Sequence, residues 1–418
     1  MIGRVSGVVD ENEMSARVGP GRVDRRALAP LAVLAFAQDA IYALIFLSFM
    51  NHYLLVVVRT SPGVPAYTLA LFGGTRLIVH PLAGKLIDAT NPRLVLRISV
   101  IAQLAAVALL LLVHGIGAFL AATVLLAAGS ASIWPLIYET LARTQPADVR
   151  SRATGVLAIV GYVGTMVGFL SGVLLGRLVG SHVPFWLTGG FVATAGLAQG
   201  ARAFSGARGP QLAEERAPTS SGASRAPGLA FFALLMFLDF AAIAALAGVY
   251  GPFSRISLGI NLLKTTLLLL PAGAAAALSL WIVSRHSKPG RRVRELSALY
   301  LIAGAGVIAL AASPGPWTAL FMAIPLGAGL GGIGPIIAAT VVDLGASENG
   351  GTVVGSLLAV EGVGSVVGPL MVGFITDTLS PRAGMGAIGV IFVTLVAVTL
   401  VGNRAGVSAD QAVAHVDT

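Results

Sequence analysis

Residues 126–168, LAAGSASIWPLIYETLARTQPADVRSRATGVLAIVGYVGTMVG, recur 200 positions later as 326–368, LGAGLGGIGPIIAATVVDLGASENGGTVVGSLLAVEGVGSVVG. Aligned without a gap, the two stretches share 14 of 43 positions, among them Gly129/Gly329, Ile133/Ile333, Pro135/Pro335, Thr140/Thr340, Gly155/Gly355, Gly164/Gly364 and Gly168/Gly368. The same offset lays Asp39 over Asp239, two acids in otherwise apolar surroundings. A repeat of this period is the mark of a chain built twice from one unit.

What that unit is follows from composition. Of 418 residues, 56% are hydrophobic and 11% charged, against about 45–50% and about 25% in soluble domains. Mean hydropathy is +0.88. Twelve apolar stretches lie between charged or Pro/Gly-rich breaks, near 27–50, 64–87, 94–113, 117–140, 153–176, 184–204, 228–250, 259–283, 295–312, 317–342, 352–376 and 383–403. Each approaches the roughly 20 residues that a helix needs to cross a bilayer. With the N-terminus in the cytoplasm, 21 Lys and Arg fall in cytoplasmic segments and four (Arg59, Arg177, Arg255 and Arg382) on the other side. That asymmetry is the positive-inside pattern, so the net charge of +9 reads as topology and not as a nucleic-acid surface.

The expected organisation is a cytoplasmic tail 1–26, a six-helix half 27–204, a cytoplasmic linker 205–227, a second six-helix half 228–403 and a cytoplasmic tail 404–418. The fold class is an all-α polytopic membrane protein, with twelve transmembrane helices in two pseudo-symmetric six-helix halves. Because six is even, the halves share one orientation and are related by an axis along the membrane normal, an arrangement that puts a binding site near the midplane between them. The first 26 residues carry five arginines and precede an apolar run too long for a signal-peptide core. The absence of cysteine excludes disulfide frameworks, zinc-finger spacing and thiol catalysis.

The connection Gly84-Lys85-Leu86-Ile87-Asp88-Ala89-Thr90-Asn91-Pro92-Arg93 resembles the loop signature G-x-L-x-D-R-x-G-R-R/K of the major facilitator superfamily. Gly84, Leu86, Asp88 and Arg93 match; Ala89, Asn91 and Pro92 depart from it. The resemblance spans about residues 27–403 and implies the fold just described. It also implies a conformational latch in which Asp88 holds the halves together on the cytoplasmic side, near Gly350-Gly351-Thr352, where a helix N-terminus favours an anion. Span five carries Gly164-x-x-x-Gly168 but has Phe169 where proton-driven exporters of the family carry proline. Span eleven carries Gly364-x-x-x-Gly368-Pro369. Small residues at this spacing also serve plain helix packing.

Ionisable residues at bilayer depth are candidates for function. Asp39, Arg76, Asp239 and Glu361 all fall near the middle of their spans. Three acids and one base cannot all pair one to one, and burial favours the neutral carboxyl. The expected arrangement pairs Asp39 with Arg76 and leaves Asp239 and Glu361 to carry a proton or meet substrate, with Gln38 and Tyr42 adding polar contacts beside Asp39. Static pairs that fix helix packing are the alternative. His80, one turn beyond Arg76, and Trp134, Tyr138 and Glu139 in span four are possible cavity residues.

No nucleophile, Walker loop or metal-ligand cluster stands out, so neither an enzyme, a cofactor nor a resident metal is expected. The glycine run Gly327–Gly332 lies inside an apolar span and lacks the strand that a dinucleotide loop requires. The expectation is a secondary transporter in a bacterial inner membrane that moves a small amphipathic or lipophilic solute by alternating access. It is expected to couple to protons as an exporting antiporter. Proton-coupled uptake of a metabolite and a non-transporting receptor of the same fold are the alternatives.

Overall fold

The computed structural model describes residues 23–90, 92–145, 147–178, 183–197, 226–344 and 350–404. Twelve long helices and no strand occur among them. The first half comprises α1 (Arg25–Val57), α2 (Val64–Ala89), α3 (Pro92–Leu112), α4 (Ile116–Thr144), α5 (Ala147–Leu178) and α6 (Val183–Leu197). The second comprises α7 (Ala226–Pro252, prolonged by a π turn at Phe253–Ser257), α8 (Leu262–His286), α9 (Arg292–Ala312), α10 (Pro316–Leu344), α11 (Gly350–Thr378) and α12 (Pro381–Arg404). The expected linker through residue 225, the tail through 22 and the tail from 405 lie outside the described residues.

Ten of these helices are long and apolar enough to cross a bilayer. The other two have evident reasons for falling short: α2 carries Arg76, Lys85 and Asp88, and α6 has 15 described residues. The first helix runs past the expected boundary near residue 50, because two π-helical segments, Ala43–Phe49 and Tyr53–Val57, carry it on. We call the end of the bundle where α1 begins and α2 meets α3 the near face, and the opposite end the far face.

Each half has its own apolar core. Leu31, Phe46, Phe119 and Leu136 belong to the first, and Phe253, Tyr300, Val307 and Phe392 to the second. Trp134 and Tyr138 of α4 pack against both. The outside is apolar as well: Ile78, Ile101 and Val390 are about two-thirds exposed. Helices apolar on every side are at home in lipid. Trp186 and Trp317 stand exposed at far-face helix ends, while Trp281 near the other end of α8 lies under the Arg285 guanidinium at 4.4 Å. Tryptophan at both ends of a span marks the two membrane interfaces.

Glycines set how closely the helices approach. Gly164 and Gly168 of α5 leave room for the α1 backbone at Phe36 and Ala40, and Gly364 and Gly368 of α11 do so for α7 at Phe237 and Ala241. The offset between halves is therefore 201 at mid-helix. At the far ends it is 200: Arg59 and Gly259 take left-handed φ of 62° and 65°, and the same hydrogen bonds close both helices, Val58 N to Tyr53 O and Leu258 N to Phe253 O. The discrepancy lies in the π segment Ala43–Phe49, which has no counterpart in α7. A π turn accommodates an extra residue within a helix. The counterpart of Asp39 is thus Phe240, and that of Asp239 is Gln38. The symmetric pairing of the two aspartates in sequence is corrected by one residue, or about 100° of helix rotation.

Candidate functional site

A cavity of about 1310 Å³ lies between the halves. Its wall reaches the far-face connection at Gly259 and Asn261, and stops short of the near face at the level of Thr154, Leu280 and Val341. Asp39, Tyr42, Arg76, Trp134, Tyr138, Asp239 and Glu361 all line it.

The ion pair differs from the one expected. Arg76 on α2 binds Glu361 on α11, Nη2 to Oε1 at 2.6 Å, across the boundary between the halves. The physical reason is the approach of α2 and α11. Gly73 lies against Ser365, and Gly362 against the Leu77 backbone, so side chains at this level meet at short range. Arg76 Nε also donates to His80 Nε2 at 3.4 Å, and His80 Nδ1 lies 2.7 Å from the Leu358 carbonyl. That carbonyl can only accept, so Nδ1 carries the proton and Nε2 receives the arginine's. His80 is fully buried behind the cavity wall and does not line it.

Asp39 remains within electrostatic reach of Arg76. Its carboxylate rests against Gly161 of α5, where a Cβ would collide with it. Asp239 is 2% exposed, and its Oδ1 has no hydrogen-bond partner among the described residues. The Tyr300 hydroxyl of α9 lies beside it without a well-formed hydrogen bond. Asp239 also lies within reach of Glu361. Electrostatic contact thus links Asp39 to Arg76, Arg76 to Glu361 and Glu361 to Asp239.

Other expected contacts are redirected. Gln38 turns to α3 and exchanges two amide hydrogen bonds with Gln103, at 3.3 and 2.9 Å, so its amide serves α1–α3 packing and not Asp39. Ala303 occupies the position in α9 equivalent to Gln103, as the packing of Gly129 and Gly329 shows; Asp239, in Gln38's place, finds Tyr300 instead. Glu139 is buried, bridges to Arg143 one turn on, and is absent from the cavity wall. Tyr42 packs against Phe72 at 5.7 Å and Trp134 against Tyr138 at 5.6 Å.

At the near face, Asp88 Oδ2 accepts from Thr352 N at 2.8 Å and Thr352 Oγ1 at 2.6 Å, in the first turn of α11. Gly84 lies under Gly355, and Arg93 sits in the first turn of α3. No motif in the sequence points to the reciprocal contact at the far face. Asp377, at the end of α11, accepts from Gly63 N at 2.8 Å, Tyr67 Oη at 3.1 Å and Ser61 Oγ at 3.2 Å, at the start of α2. Each helix's C-terminal acid caps the other's N-terminus, where the helix dipole favours an anion.

A family profile described as Major Facilitator Superfamily matches residues 28–369. The chain belongs to the Major Facilitator Superfamily. It is accordingly a multi-pass membrane transporter of a general kind. The same superfamily fold appears in the human organic anion transporter MFSD10 (TETRAN), with a TM-score of 0.71 at 15% identity over 90% of this chain and 99% of that one. It appears again in FucP, a Major Facilitator Superfamily transporter crystallised in the outward conformation, with a TM-score of 0.62 at 14% identity over 89% and 97%. No curated protein matches the sequence.

Proposed function

We propose that this superfamily member is a proton-coupled exporter of a small amphipathic solute, with the near face in the cytoplasm. The orientation rests on the 21 to 4 distribution of Lys and Arg. The observation that carries the coupling is the arrangement of charge around the cavity: Arg76 is engaged by Glu361 across the halves, while Asp39 and Asp239 face the cavity without an ion pair among the described residues. The acids left to exchange protons are then Asp39 and Asp239, and Glu361 becomes the switch. A proton on Glu361 removes its charge and loosens Arg76, which frees α2 from α11 and lets the halves rock. Few amides line the cavity beside Trp134, Tyr138, Tyr42, Phe72 and Phe240, which suits an apolar body over a sugar.

The test is proton movement by the purified protein in proteoliposomes, challenged with lipophilic cations, weak acids and sugars. Wild type is compared with Asp39→Asn, Asp239→Asn and Glu361→Gln. A solute-evoked proton signal lost in one variant identifies a coupling acid, and its direction separates exchange from co-transport. Solute flux without proton movement overturns the coupling, and neither flux nor proton movement favours a non-transporting receptor.

A further inference from the structure

At mid-depth the cavity wall carries three carboxyl groups and one cation, beside neutral donors such as the Tyr42 and Tyr138 hydroxyls. Asp39 lines it with neither a hydrogen bond nor an ion pair among the described residues, and Asp239 Oδ1 is buried without a hydrogen-bond partner, with the Tyr300 hydroxyl beside it. Nearer the far face Asn51, 8% exposed, also leaves its Oδ1 unpartnered, with its amide set against Gly251 of α7. A desolvated acceptor with no donor is costly to hold. The midplane cation, Arg76, is paired with Glu361 through Nη2 and donates Nε–H to His80. Arg255 lines the far mouth, but it is 16 residues beyond Asp239, about 24 Å along α7. In water at physiological ionic strength charges more than about 8 Å apart are largely screened, so Arg255 does not serve the midplane.

We infer, resting on the transporter reading above, that the solute is an organic cation: a protonated amine on an aromatic or apolar body. Its N–H groups answer Asp39 and Asp239, and its body lies against Tyr42, Trp134 and Tyr138, whose ring faces attract a cation as well as apolar surface. The one-residue register shift between halves gives this site its polarity. Had the repeat been kept, Asp239 would occupy Asp39's place and Leu238 would occupy Gln38's; instead Gln38, itself on the wall, is satisfied by Gln103 within the first half, and its counterpart in the second is the acid Asp239. An organic anion would meet three carboxyl groups and one arginine already bound.

Equilibrium binding to the purified full-length protein in detergent tests this, using three probes: 2-(1-naphthyl)ethylamine, the matched carboxylate 1-naphthylacetate, and tetraphenylphosphonium, a cation without N–H. The amine is expected to bind at least tenfold more tightly than the carboxylate. Asp39→Asn and Asp239→Asn are each expected to weaken it tenfold or more, with the phosphonium lying between the other two. Equal or tighter binding of the carboxylate, amine binding untouched in both variants, or binding of no probe overturns the inference. The amine-to-carboxylate comparison needs only wild type and holds even if a variant fails to fold. Failure here with solute-driven proton movement intact leaves the transporter reading in place with another solute; amine binding without any flux overturns that reading alone.

Discussion

Arg76 and Glu361 meet at 2.6 Å from opposite halves of the protein, at mid-depth in two helices that run together from face to face. The pair is largely buried, with the arginine and glutamate side chains 13% and 4% exposed. It is an ion pair that joins the two halves at mid-depth.

Removing one partner strands the other. Glu361→Ala leaves the arginine buried beside His80, and a broken buried pair costs about 3–5 kcal/mol. The double variant Arg76→Met/Glu361→Leu is expected to recover most of that stability, since apolar replacement of a buried pair is often neutral, while remaining inactive. Thermal unfolding in detergent together with a flux assay reads both. Equal destabilisation in the single and double variants would mean that packing, not charge, holds this level.

The near-face cap is expected to control access from that side. Asp88→Ala removes the acceptor for Thr352 N and Oγ1 without touching the cavity. The chain contains no cysteine, so a single Leu280→Cys reporter on the near end of the cavity wall labels without background. A membrane-impermeant maleimide applied from the near face should react several-fold faster in the Asp88→Ala background. An unchanged rate would show that this cap does not govern opening.

The far-face cap makes the opposite prediction. Asp377→Ala frees Gly63, Ser61 and Tyr67 at the start of α2, and a Leu269→Cys reporter on the wall should label faster from the far face. Labelling of Leu280→Cys from the near face is expected to slow in the same background, since populations shift between two states. If both reporters accelerate together, the contact serves general stability.

Two glycines on one face of α5 should part company. A Cβ at Gly161 collides with the Asp39 carboxylate, a side chain able to swing aside, whereas a Cβ at Gly164 collides with the Phe36 backbone carbonyl. Gly164→Ala is expected to cost about 1–3 kcal/mol of stability through overpacking. Gly161→Ala should leave unfolding nearly unchanged and lower transport by displacing Asp39. A loss of stability in Gly161→Ala as large as in Gly164→Ala would place Asp39 in packing and not in function.

The sequence by itself determined the apolar helices, their repeat in two halves and the mid-helix positions of Asp39, Arg76, Asp239 and Glu361, because apolar run length and helical rise are local properties that each segment carries alone. Partners were decided only by the tertiary structure. Whether Arg76 turns to Asp39 or to Glu361 depends on how closely α2 approaches α11, which glycines such as Gly73 and Gly362 set through contacts almost 300 residues apart in the chain. Gln38 seeks Gln103 for the same kind of reason, and Asp377 meets α2 only because the two helices run antiparallel across the whole bundle. The repeat misled at one point: the π segment Ala43–Phe49 absorbs a residue, so Asp39 and Asp239 match in sequence while their side chains leave their helices in different directions. A one-residue bulge hardly alters a hydropathy pattern, yet it rotates every side chain beyond it, and it becomes visible only when the backbone is seen against its neighbours.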